Sequence, residues 1–73
     1  MPRLPQVKPK ELVKLLKREG FVERKTKSGH AFFFHNDGRT TTVPIHNKPL
    51  FKGTLRGILR QVEMSVEKLA DKL

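Results

Sequence analysis

Lys25-Thr26-Lys27-Ser28-Gly29-His30-Ala31-Phe32-Phe33-Phe34-His35 is the stretch on which the fold turns. Three of the chain's five phenylalanines stand side by side in it, between two of its three histidines. Aromatic side chains suit a pleated, half-buried surface, so the spacing predicts a strand from His30 to His35, entered through the turn residues Thr26 to Gly29. Strand alternation places His30, Phe32 and Phe34 on one side and Ala31, Phe33 and His35 on the other. Both sides are partly apolar, so the sequence leaves open which one meets the core. A small chain needs such rings inside, and neither a tyrosine nor basic alternation marks a base-stacking platform. At least two of the three phenylalanines are therefore expected in the core.

Downstream, Asn36-Asp37-Gly38 is a hairpin signal. The β-branched run Thr40 to Val43 is a further strand, closed by Pro44. Upstream, Phe21 to Lys25 reads as the first strand of the set. Beyond these strands the period changes from two to 3.6. Leu12, Leu15 and Leu16 form an i, i+3, i+4 stripe with Pro9 in the first turn, Glu11 at the positive end of the dipole and Gly20 as the stop, which predicts a helix over 9–19. Leu55, Ile58, Leu59 and Val62 repeat that stripe in a helix opened by Lys52-Gly53-Thr54, after a loop that carries His46. Gly57 weakens this helix by ~1 kcal/mol relative to alanine unless close packing requires it. Ser65 caps a last short helix, Val66 to Leu73, with Glu67 in its first turn. Residues 1–8, with Pro2 and Pro5, read as an extended lead-in to a single domain over 9–73.

The order helix, three strands, helix, short helix points to an α+β fold. Its simplest form is a three-stranded antiparallel sheet with helices on one face.

Composition bounds the function. Seventy-three residues supply one core, and the absence of cysteine excludes a disulfide framework or a thiolate metal site. The longest apolar run, Ala31 to Phe34, is far below the ~20 residues of a membrane span, and no signal-peptide pattern opens the chain, so a soluble protein is expected. Sixteen Lys and Arg against seven Asp and Glu give a formal charge of +9, spread along the chain. A folded domain with that excess attracts polyanions, nucleic acid above all. An anionic membrane surface and an acidic protein partner are the other possibilities.

The carboxylates are scattered, and His30, His35 and His46 have no metal-ligand spacing, so no metal or other cofactor is expected. Metal-free RNA cleavage has other requirements. It needs a base for the 2′-hydroxyl, an acid for the leaving oxygen and cations for the charge growing on phosphorus. Histidine suits both proton steps near neutrality. His30 stands at a turn-to-strand junction beside Ser28 and Gly29, just after Lys25 and Lys27. Local sequence by itself favours a solvated histidine at a strand end over a catalytic one. His46, in its loop, suits phosphate contact or plain exposure. Lys52, Gly53 and Thr54 open a helix whose free N–H groups suit an anion, and Arg56 and Arg60 extend a positive stripe from it. A charge run of this kind is otherwise just a solvated face.

Glu11-Leu-Val-Lys-Leu-Leu-Lys-Arg-Glu-Gly-Phe-Val22, Gly29-His30 followed by Phe33 and His35, Val43-Pro44-Ile45-His46 and Lys52-Gly-Thr-Leu-Arg-Gly-Ile-Leu-Arg-Gln61 together resemble a known family. In order and spacing they are similar to the HicA toxin ribonucleases of bacterial and archaeal HicA–HicB toxin–antitoxin modules. The resemblance implies a fold like the double-stranded RNA-binding domain, mRNA cleavage without a required metal, a cytoplasmic setting, and a HicB-like antitoxin as partner. It makes His30 the catalytic histidine, which the antitoxin would cover. Lys25, Lys27, Arg56 and Arg60 would bind phosphates, and the second proton-transfer group is left unassigned, with His35 and His46 as candidates. The family usually shows Gly-Ser-His where this chain has Ser28-Gly29-His30. A non-catalytic RNA-binding module of the same fold, or an interaction domain for an acidic protein, are the alternatives.

Overall fold

The computed structural model describes residues 4–25 and 29–73, with Lys25 described in its backbone only. Its elements are α1 (Pro9–Arg18), β1 (Val22–Lys25), β2 (His30–Phe34), β3 (Thr40–Pro44), α2 (Lys52–Gln61) and α3 (Val66–Lys72). The strands form one antiparallel sheet in the order β1-β2-β3. α1 lies against β1 and β3, and α2 lies against β3. This is the expected α+β arrangement, like that of a double-stranded RNA-binding domain, with a short extra helix at the C-terminal end. Among the described residues, no helix is long and apolar enough to cross a membrane.

Local chemistry sets the element ends. The Glu11 carboxylate accepts from the Lys8 N–H at 3.0 Å, at the start of α1. At the other end the Phe21 N–H donates to the Leu16 carbonyl and the Gly20 N–H to that of Lys17, a closure that needs the left-handed φ of +95° at Gly20. Phe21, expected to open the first strand, is instead the buried residue after this closure. The same closure ends α2, where Met64 donates to Leu59 and Glu63 to Arg60, but there the left-handed residue is Glu63, at φ 55°. Ser65 Oγ accepts from the Lys68 N–H at 3.0 Å and caps α3 as expected.

One side of the sheet carries the core. Ala31 and Phe33 on β2, and Thr41 and Val43 on β3, are buried under Leu12, Leu15 and Leu16 of α1 and Leu55, Ile58 and Leu59 of α2. Leu69 of α3 closes it. Leu4 and Val7 join the same core, and the Leu50 N–H donates to the Val7 carbonyl at 2.8 Å, so the lead-in is packed down over its described length. The lone buried polar side chain among the described residues, Thr41, donates its hydroxyl to Gln61 Oε1 at 2.7 Å.

The phenylalanines correct the sequence reading. Phe33 alone of the three is in the core; Phe32 is half-buried and Phe34 exposed on the opposite face. The two leucine-rich helices already fill the single inner layer, so the sheet has no second helical layer to cover its other side.

Candidate active site

At one end of the sheet the chain closes around His30. The Ile45 N–H donates to the Gly29 carbonyl at 2.9 Å, and His30 pairs with Pro44 across β2 and β3. These contacts draw the loop after β3 against the start of β2. A groove of about 730 Å³ opens there. Lys10 and Val13, one helical turn apart on α1, line it with Glu23 of β1, Gly29, His30 and Ala31 of β2, and Ile45, His46 and Asn47 of the loop.

Two of the three histidines thus share one groove with a lysine. His30 and His46 are both exposed. Glu23 is the groove's carboxylate, and it is paired with Lys17, whose Nζ lies 3.0 Å from its Oε1. Among the described residues, no cluster of three or more histidines or carboxylates is arranged to hold a metal ion.

His35 lies elsewhere. It follows β2 at the far end, ~17 Å from His30 at a strand's rise per residue, and its parity puts it on the helix side of the sheet. Its ring packs edge-on to Phe21 at 5.0 Å, and Nδ1 accepts from the Asp37 N–H at 3.1 Å. That ring holds the β2–β3 turn. It is not brought together with His30.

Lys52, Thr54, Arg56 and Arg60 do not line the groove either. Lys52 borders a separate depression with Leu4, Pro5 and Gln6, Thr54 is half-buried, and Arg56 and Arg60 are exposed on α2. Lys27, Ser28 and the Lys25 side chain lie outside what is described. Sequence reasoning missed Lys10, which reads as one more solvated helix lysine. Only the packing of α1 across the strand ends turns it toward the groove, and no local pattern encodes that.

A family model described as the HicA toxin of bacterial toxin–antitoxin systems matches residues 9–64. The chain belongs to the HicA toxin family. The match begins with α1, takes in the whole sheet and α2, and therefore includes every residue of the groove; α3 lies beyond it. No curated protein matches the chain. HicA membership makes this the toxin half of a two-protein module.

Proposed function

We propose that this HicA protein is an endoribonuclease that cleaves mRNA at the groove, with His30 as an essential proton carrier and no required metal. The observation that carries the reading is the convergence of His30, His46 and Lys10 on one concave surface of a strongly cationic domain.

The chemistry needs only those groups. One imidazole takes the proton from a ribose 2′-hydroxyl, the 2′-oxygen bonds to phosphorus, the bond from phosphorus to the 5′-oxygen breaks, and a second group protonates that oxygen. The products are a 2′,3′-cyclic phosphate and a 5′-hydroxyl. His30 performs one proton step, and His46, which shares its groove, is the better placed of the two candidates for the other. Lys10 faces the charge that grows on the phosphoryl oxygens. Ser28, Gly29, Lys25 and Lys27, next to His30 in sequence, contact the same phosphate or its neighbour. Lys52, Thr54, Arg56 and Arg60 hold the RNA further along its backbone, with the N-terminus of α2 as an anion seat. A HicB-like antitoxin inhibits by covering the groove, and the cytoplasm supplies the mRNA.

Purified protein incubated with RNA in excess EDTA tests this reading. Fragments ending in 2′,3′-cyclic phosphate are expected. Salt-sensitive binding without any fragments would make the protein a non-catalytic RNA-binding module instead.

A further inference from the structure

Apart from His30 at its edge, the open face of the sheet takes no part in the proposed cleavage chemistry, yet it has a distinct composition. Phe32 and Phe34 stack on it with ring centroids 6.2 Å apart and planes 27° from parallel. Arg24 and Thr42 flank Phe32 on the neighbouring strands, and Val22 and Thr40 flank Phe34. Val22 is 54% exposed and Phe34 37%. The neighbouring carboxylate, Glu23, belongs to the opposite face by strand parity, where it meets Lys17. The face thus combines one exposed and one half-buried ring, hydroxyls and a cation, and none of these residues is acidic. His30 stands on the same side of β2, two residues before Phe32, which puts the three side chains in one line at intervals of ~7 Å.

We propose that Phe32 and Phe34 form a base-stacking subsite for the unpaired nucleotides adjoining the linkage held at His30, with Arg24 as their phosphate contact. This deepens the cleavage reading and rests on it for the position of the scissile linkage. The occupant follows from chemistry. Every nucleobase offers a π-face to an aromatic ring, but only when it is not already stacked in a duplex, so the subsite selects single-stranded RNA. The positive charge beside the rings complements phosphate. His30, at the end of that line, also lines the groove, so one continuous strand can reach both.

The test uses the full chain, a single-stranded RNA with 2′-O-methyl riboses and one 2-aminopurine, and the same RNA in a duplex. Methylation removes the nucleophile, so binding is read whether or not His30 is catalytic. The single strand is expected to bind at least tenfold more tightly than the duplex, with the 2-aminopurine fluorescence quenched. The double substitution F32L/F34L keeps apolar bulk and removes the rings. It is expected to keep the parental circular dichroism and melting temperature, to lower single-strand affinity at least tenfold, and to abolish the quenching. The aromatic replacement F32Y/F34Y is expected to restore both. Parental affinity and quenching in F32L/F34L would overturn the proposal. So would equal binding of duplex and single strand, or a loss confined to affinity for a protein partner. Should unmethylated RNA remain uncleaved while the rings still quench, the cleavage reading fails and the subsite stands.

Discussion

The backbone of Gly20 passes so close to the ring of His35 that a Cβ at residue 20 would lie 3.0 Å from Nε2. The same residue holds φ at +95° to close α1. Two independent constraints therefore meet at one glycine. The His35 ring has little room to give way, because Phe21 packs against it and Asp37 donates to its Nδ1. Gly20→Ala is expected to destabilise the domain by ~1–2 kcal/mol from the left-handed backbone alone, with the contact adding to it. Thermal melting checks this: each kcal/mol corresponds to ~4–8 °C in a domain of this size. The His30 groove, at the other end of β2, should keep its activity below the melting range.

The middle of α2 and its C-terminal closure offer the opposite experiment. Gly57 has nothing within 4 Å of where a Cβ would stand, so close packing does not require it. Gly57→Ala is expected to stabilise by ~1 kcal/mol. Glu63 carries the left-handed closure of the helix, a geometry that costs an L-residue ~1–2 kcal/mol. Glu63→Gly relieves that cost, less the entropy that glycine adds to the unfolded chain, for a net gain of ~0.5–1 kcal/mol. Denaturant midpoints of the two variants should both rise, and a fall in either contradicts the corresponding account.

Acid should weaken the fold through two carboxylates. Asp37 is held below the ordinary aspartate value of 3.8, first by the backbone N–H of Arg39 and then by its side chain. The Lys68 hydrogen bond does the same for Glu19, against an ordinary value of 4.5. A depressed folded-state pKa means that the stabilising contribution is complete above the unfolded pKa. It is lost as pH falls through the folded one. Melting temperature is thus expected to decline below about pH 4.5, with Asp37→Asn flattening part of the decline. An unchanged acid limb in Asp37→Asn would show that this aspartate is not linked to folding.

The cations of α2 separate binding from chemistry. If Lys52, Arg56 and Arg60 each neutralise one phosphate, replacing all three with glutamine lowers the slope of log affinity against log salt by ~2 for single-stranded RNA. Cleavage at low salt should survive, since none of the three lines the groove. Lys10→Gln is expected to show the reverse pattern, with a larger loss in turnover than in affinity. Titrating salt across both variants distinguishes the two roles.

Much of the fold was legible because its signals are local. The leucine stripe of α1, Gly20 as its stop and the Ser65 cap each follow from spacing and residue type. The faces of β2 were not legible. Ala-Phe-Phe-Phe is apolar at every position, so alternation gives two equivalent answers, and only the helices crossing the sheet choose Ala31 and Phe33. The site was half legible for a similar reason. His30 is a candidate through the family resemblance, since its turn-to-strand position by itself favours a solvated histidine. Lys10 and His46 become its neighbours only when Ile45 hydrogen-bonds to Gly29 and α1 lies across the strand ends, contacts between residues far apart in sequence.

Arg39 shows how a residue can escape notice altogether. Its guanidinium donates to the Val62 carbonyl at 2.6 Å and to Asp37 at 2.8 Å, and lies 5.1 Å from the centre of the Phe21 ring. It ties the β2–β3 turn to the end of α2. Arg39→Ala is expected to cost ~1–3 kcal/mol, in the range of a hydrogen bond to a charged group, with chemical denaturation as the readout.

Single-turnover cleavage of a defined RNA by the parent, His30→Ala and His46→Ala, in EDTA and with folding verified by amide spectra, is the most direct measurement. Loss of the rate by ~100-fold or more in His30→Ala, with RNA affinity retained, is the predicted result. A comparable fall in His46→Ala is expected if it carries the second proton. A His30→Ala protein that cuts at the parental rate would contradict the account at its centre.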